Sequence, residues 1–227
     1  MSDGYRIFPL GDSALTVEFG NEISVKFNER AIALSDYFEF HPFPGFIETV
    51  PAYASTTIFF DIARVTAAFP DARTAWDAVR LLAENALTHT QDLAVRETRT
   101  VEIPIHFDRE SALDLDYVAE SHSLKPDDVI QIFTERTYRV FMLGFLPGFT
   151  YMAEVDERIA TPRKDAPRTT VPKGSIGIAG KQTGIYSLES PGGWQIVGRT
   201  DVEMFTPDGE RPALLRAGDS VRFVPAK

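Results

Sequence analysis

Between Arg158 and Lys181 the chain carries six basic residues, Arg158, Arg163, Lys164, Arg168, Lys173 and Lys181, against a single acid, Asp165. The local net charge is +5 in a chain whose formal net charge is −10. Seven of the fifteen glycines (Gly174, Gly177, Gly180, Gly184, Gly192, Gly193 and Gly198) begin inside this segment and continue just past it. Arginine offers a planar pair of donors to a carboxylate or phosphate, and glycine-rich turns expose backbone N–H groups as a second donor set. Taken singly, each glycine reads as a tight turn and each lysine as part of a solvated face. Together, the charge contrast and the bare backbone point to an anion-binding loop. Arg163 and Arg168 stand out because each lies beside a stiffening proline, Pro162 and Pro167.

Other chemistries are poorly served. Gly180-Lys181 resembles the end of a phosphate loop, but Ser175 occupies the first glycine position and Gln182 stands where Ser or Thr should follow, so an autonomous ATPase loop is rejected. The four histidines, His41, His89, His106 and His122, show no HExxH or paired spacing, and no metal site is expected. Ser175 and Ser190 lack the glycine on both sides that a nucleophile elbow needs. Glu154, Asp156 and Glu189 could serve as bases, yet surface acids are usually just solvated, and local sequence singles out none. The acidic balance argues against nucleic acid or an anionic membrane as partner.

Phe141 to Tyr151, FMLGFLPGFTY, is the strongest apolar element. Phe141 and Leu143 suit a core strand. Phe145, Phe149 and Tyr151 fall on its Pro-Gly turn around Pro147, where large aromatics have a use only over a pocket or against another chain. Trp194 follows two glycines, so its indole either covers the mouth of a cleft or belongs to the core.

The elements that must hold these residues divide the 227-residue chain in two. In residues 1–95 strand patterns at 6–10 and 14–19 precede a helical stripe through Phe27, Ala31, Leu34 and Phe38. Strands at 46–50 and 56–60 follow, then a second stripe through Trp76, Val79, Leu82, Ala83 and Ala86, so this part reads as an α+β sandwich. The polar stretch Asp92 to Thr100 is read as a linker. Residues 96–227 open with a strand at 101–105 and two short helices, one near 114–121 and one from Pro126, which suits a first helical turn. Thereafter strands punctuated by PG, KG, GG, DG and GD predict a compact β-barrel or sandwich. With 44% apolar residues both parts can bury a core. The absence of cysteine excludes disulfides and fits the cytoplasm, the opening residues lack a signal-peptide pattern, and no apolar run reaches the ~20 residues of a membrane span.

Four ordered blocks, GFLPGFTY (144–151), TPRKDAPRTTVPKGSIGIAG (161–180), QTGIYSLESPGGWQIVGRT (182–200) and LLRAGDSVRFVP (214–225), resemble the B subunit of the bacterial ATP-dependent 5-oxoprolinase. That family is also called allophanate hydrolase subunit 1 and includes a Kip-type inhibitor of a sporulation histidine kinase. The resemblance extends more weakly over the first half. It implies an α+β domain followed by a cyclophilin-like barrel of the kind also found in the carboxyltransferase part of urea carboxylase. It also implies a cytoplasmic hetero-oligomer in which this chain, inactive alone, contacts the C subunit directly and works with the A subunit to convert 5-oxo-L-proline to L-glutamate, ATP being the cosubstrate. The rival readings are a non-catalytic inhibitor of a sensor histidine kinase and a component of a related allophanate or amide hydrolase.

On that resemblance, Arg163, Arg168 and Arg199 hold a phosphate or the substrate carboxylate, with Lys173 and Gln182 in the same binding set. Backbone donors at Gly192 and Gly193 stabilise oxyanion charge. Phe145, Pro147, Phe149, Tyr151, Tyr186 and Trp194 wall a cleft shared with the C subunit and keep water out. An exposed, anion-binding Arg168 would be replaceable by alanine with little loss of stability. Two departures from the family pattern are visible: Phe107 to Leu115 replaces a GPDL-type turn, and Phe133 stands where relatives often have His.

Overall fold

The structure, a computed structural model, describes residues 4–90 and 98–226. The chain divides into two compact units, Met1–Glu97 and Thr98–Lys227. Most of the polar stretch read as a linker lies outside the described residues, and its last residue, Thr100, already begins a strand.

In the first unit β1 (Arg6–Pro9), β2 (Ala14–Glu18), β3 (Phe46–Pro51) and β4 (Ser55–Phe60) form an antiparallel sheet in the order β1-β2-β4-β3. Its core joins Leu15, Val17, Ile58 and Phe60 to Ala31, Leu34 and Phe38 of α1 (Val25–Phe40) and to Val79, Ala83 and Ala86 of α3 (Ala75–Thr90). Both apolar stripes read from the sequence face this core. A further helix, α2 (Ile62–Ala68), is too short to show a period. It buries only Val65 and starts at Asp61, whose carboxylate accepts the Arg64 N–H at 2.9 Å.

The second unit opens with β5 (Thr100–Ile105), α4 (Leu115–Ser121) and α5 (Pro126–Thr134). Then come β6 (Thr137–Leu143), β7 (Thr150–Ala153), β8 (Arg168–Val171), β9 (Ser175–Ala179) and β10 (Gln182–Ile185). The last strands are β11 (Ser190–Gly192), β12 (Gln195–Arg199) and β13 (Ser220–Pro225). Seven of them make a mixed sheet in the order β12-β9-β10-β7-β6-β13-β5, with only β13 and β5 parallel, and β8 pairs with β11 as a separate ribbon. The two edge strands meet just beyond β5. The His106 N–H donates to the Arg199 carbonyl at 2.7 Å and the Arg199 N–H to the His106 carbonyl at 3.0 Å, so the sheet curls into a nearly closed barrel. Gly198 permits this seam, since a Cβ there would collide with the Ile105 side chain and lie 3.0 Å from the His106 carbonyl oxygen.

Alternation along the strands sends Ile103, Ile105, Ile176, Ile178, Ile185, Val197, Val221 and Phe223 into the barrel core. Helices α4 and α5 add Val118, Val129 and Phe133 to it. Phe133, one of the two departures from the family pattern, stacks on Phe223 with centroids 5.0 Å apart and is 1% exposed. A core aromatic there has no access to a reacting group.

Candidate functional site

The opposite face of the β9–β10 half of the sheet carries a second apolar cluster. Gly177 and Gly184 lie directly across from each other in the β9–β10 register. With no Cβ on either, the sheet has a trough that Trp194 fills: a Cβ at Gly177 would lie 2.9 Å from the Trp194 Cβ, and one at Gly184 would lie 3.1 Å from its Cζ3. Phe149 stands edge-on to Trp194 at 5.7 Å and to Tyr186 at 5.1 Å, and Tyr151 closes on Trp194 at 5.8 Å. Trp194, Phe149 and Tyr186 are 4%, 1% and 1% exposed. These three therefore form a buried floor, not the open wall expected of them. Burial pushes the Tyr186 phenol up in pKa, against the opposing influence of a Trp194 backbone hydrogen bond and the charge of Arg163. Burial likewise raises Tyr151, again against Arg163.

The turn between β6 and β7 behaves differently. Phe145 is 62% exposed and holds a left-handed backbone (φ 70°), while its ring meets Phe149 edge-on at 5.5 Å. Pro147 is exposed, and its carbonyl accepts the Ser187 hydroxyl at 2.6 Å, tying this turn to the segment after β10. A bulky residue held at positive φ is uncommon and marks a conformation the surroundings impose.

The basic segment crosses this region as a strap, and most of its charge is already paired. Arg168 places its two terminal nitrogens on the two oxygens of Asp114, each at 2.7 Å. Lys164 Nζ reaches the same carboxylate at 2.9 Å, and so does the Ile196 N–H at 2.7 Å. Asp114 is 4% exposed. Burial alone would push its carboxyl up, but the hydrogen bonds from Arg168, Ile196 and Lys164 outweigh burial and hold it below the usual carboxylate range. Elsewhere Lys173 pairs with Glu203, Lys181 with Glu157, and Arg158 with Asp156. Arg163 and Arg199 have no carboxylate partner among the described residues. Arg163 lies over the Trp194 ring, 5.6 Å from its centroid, whereas Arg199 ends β12 at the barrel seam. The three arginines thus have three different settings: Arg168 on Asp114, Arg163 on the Trp194 face and Arg199 at the seam.

The remaining expected residues fall into place around the strap. Gly192 sits in β11 opposite Arg168, where a Cβ would collide with the Tyr186 phenol. The Gly193 carbonyl accepts the Lys164 N–H at 2.7 Å, and Gln195 Nε2 donates to the Pro162 carbonyl at 3.0 Å. Gln182 opens β10, half-exposed, on the same face as Gly184.

The sequence reading passed over Asp114, the residue that organises the strap. It lies at the end of the stretch set aside as a departure, and a single acid before a short helix carries no distinctive signal. One hint was present: Asp114-Leu115 preserves the final Asp-Leu of the GPDL pattern.

A nucleotide loop finds no support in this geometry. Ser175–Ala179 and Gln182–Ile185 are the two arms of a β-hairpin, Gly180 and Lys181 are its turn, and no helix follows. Nor does His122 activate a nucleophile. Its Nε2 lies 3.1 Å from the Thr161 hydroxyl, but that hydroxyl donates to the Ile159 carbonyl at 3.0 Å and is buried. Among the described residues no group of three or more His, Asp or Glu is placed to hold a metal ion, and no helix is long and apolar enough to cross a membrane.

An α+β unit followed in sequence by a barrel with an aromatic floor and a basic strap is the form that a carboxyltransferase-type domain takes here. The chain belongs to the carboxyltransferase domain family, subdomains C and D, which it matches over residues 5–215. Over 225 residues it is 43% identical to the 5-oxoprolinase B subunit of Bacillus subtilis (strain 168), covering 99% of this chain and 94% of that protein. It is 34% identical over 222 residues to the 5-oxoprolinase B subunit of Escherichia coli O157:H7, covering 98% and 96%. The family indicated by the four sequence blocks is thus the family found. The crystal structure of TTHA0988 superposes with a TM-score of 0.80 at 36% identity, covering 94% of this chain and 40% of the other, so this chain spans well under half of that protein. The Kluyveromyces lactis urea carboxylase shares the fold with a TM-score of 0.76 at 22% identity, over 22% of its length.

Proposed function

We propose that this chain is the B subunit of an ATP-dependent 5-oxoprolinase that opens 5-oxo-L-proline to L-glutamate together with its A and C subunits in the cytoplasm. The observation that carries this reading is the 43% identity to a 5-oxoprolinase B subunit across 99% of the chain. Dependence on partners has independent support. In TTHA0988 the same fold occupies only 40% of a longer chain. An unstrained five-membered lactam is a poor electrophile, and phosphorylating its oxygen would supply a leaving group. This chain contributes binding surface, orientation and exclusion of water.

Co-expression with the A and C subunits tests the proposal. The expected result is co-elution on gel filtration at micromolar concentration and ATP hydrolysis that depends on 5-oxoproline, with no activity from this chain alone. Separate elution from the C subunit, or lactam hydrolysis by the isolated chain, would overturn it.

A further inference from the structure

Five cations of the basic segment, Arg158, Lys164, Arg168, Lys173 and Lys181, are each held by a carboxylate of this chain. Arg163 is exposed and has no such partner among the described residues. It is held by the strap on either side: the Thr161 carbonyl accepts the Gly180 N–H at 2.7 Å, and the Lys164 N–H donates to the Gly193 carbonyl at 2.7 Å. Its guanidinium lies over the face of Trp194. The charge of Arg163 also acts on Tyr151, and one row from Tyr151, on the same face of the sheet, the β7–β10–β9 register sets Ala153, Gln182 and Ala179 side by side. Small alanines flank Gln182, which is half-exposed, and no hydrogen-bond partner of its carboxamide is found among the described residues. Tyr151, one row along, bounds this strip with aromatic carbon and rests edge-on against the buried Trp194.

We propose that Arg163 and Gln182 flank a binding site for a cyclic amide that bears a carboxylate, with the half-buried Tyr151 as its apolar wall. A guanidinium pairs bidentately with a carboxylate. A primary carboxamide presents one donor and one acceptor side by side. The amide of a five-membered lactam is fixed cis, so its N–H and C=O also lie side by side and meet that carboxamide in two parallel hydrogen bonds. An open-chain trans amide turns the two groups to opposite sides and makes only one. The ring methylenes pack on the aromatic wall. The assignment rests on the 5-oxoprolinase reading and deepens it, because it places the substrate's two polar ends on named residues of this chain. Arg168 and Asp114 become positioning residues that hold the strap.

The test uses the full chain carrying Trp76→Phe, which leaves Trp194 as the sole indole, and follows its emission on titration with 5-oxo-L-proline, 2-pyrrolidone or L-proline. Saturable binding of 5-oxo-L-proline is expected. Weakening by roughly tenfold or more is expected when the carboxylate is absent, as in 2-pyrrolidone. Arg163→Gln should bring the two lactams to similar affinity, Gln182→Ala should weaken both, and L-proline, which has no amide, should give no saturable change. A flat titration with 5-oxo-L-proline, or an affinity unaltered by Arg163→Gln, overturns the site. Turnover of the assembled complex separates the two ideas. A complex that consumes 5-oxoproline with the same KM in its Arg163→Gln form refutes this site and leaves the 5-oxoprolinase assignment standing. A complex lacking any lactam-dependent ATP hydrolysis refutes that assignment, and the titration alone then decides the site.

Discussion

Asp114 and Arg168 meet in a bidentate pair, both contacts 2.7 Å long, across 54 residues of sequence. The pair joins the start of α4 to β8, and through the Ile196 N–H it also reaches β12. Removing one partner of a buried ion pair leaves the other charge stranded, which typically costs about 3–5 kcal/mol. Arg168→Ala should therefore lower the melting temperature clearly, contrary to the expectation for an exposed anion-binding arginine. Asp114→Ala should do the same, and a double-mutant cycle read by denaturant unfolding should show strong coupling. Additive losses would mean that the pair is incidental.

Acid should weaken the strap. The Asp114 carboxyl is held below its unfolded value, so its contribution to stability is present above that value, about 3.9, and is lost as pH falls below it toward the folded pKa. Asp156 is shifted the same way, chiefly by its hydrogen bond from the Arg158 side chain. Melting temperature measured between pH 7 and pH 3 should fall mainly below about pH 4, and Asp114→Asn should flatten part of that fall.

Trp194→Ala removes the largest ring from a buried cluster, and large-to-small changes of this kind cost about 3–5 kcal/mol. A smaller probe is Gly184→Ala, whose new Cβ would lie 2.5 Å from the Thr150 carbonyl oxygen, a backbone atom that cannot swing aside. Overpacking of this type costs about 1–3 kcal/mol. Both variants should unfold at lower denaturant, and the Trp194 emission of Gly184→Ala should shift to the red. If Trp194→Ala keeps its stability while the assembled enzyme loses turnover, the indole is a lid instead of a floor.

The seam at His106 and Arg199 should open when Gly198 becomes valine, because the added methyls meet Ile105 and the His106 carbonyl. Hydrogen exchange at the His106 and Arg199 amides is the direct readout. Faster exchange confined to these two amides and their strand neighbours is expected. Unchanged protection would show that the edges are held together by other contacts.

Lys173→Ala serves as a surface control. Its pair with Glu203 is about half exposed at both side chains, so the change should alter stability by less than ~1 kcal/mol.

The sequence by itself determined the elements and the family. Period-2 runs such as Val101–Ile105 and Ser220–Val224, and the stripe Phe27–Phe38, are local patterns that a strand or helix must obey wherever it is placed. Four ordered blocks were enough to indicate the relatives. Which charges are free was decided only in three dimensions. Arg163 and Arg168 look alike in sequence, each beside a proline, yet strand order brings Asp114 to Arg168 and, among the described residues, no carboxylate to Arg163. The role of Trp194 was equally hidden. Gly177 and Gly184 are seven positions apart in sequence and become one trough only when β9 and β10 pair in register, and that trough draws the indole into the sheet. Local periodicity follows from backbone geometry, whereas pairing and burial depend on long-range register, which no short stretch of this chain encodes alone.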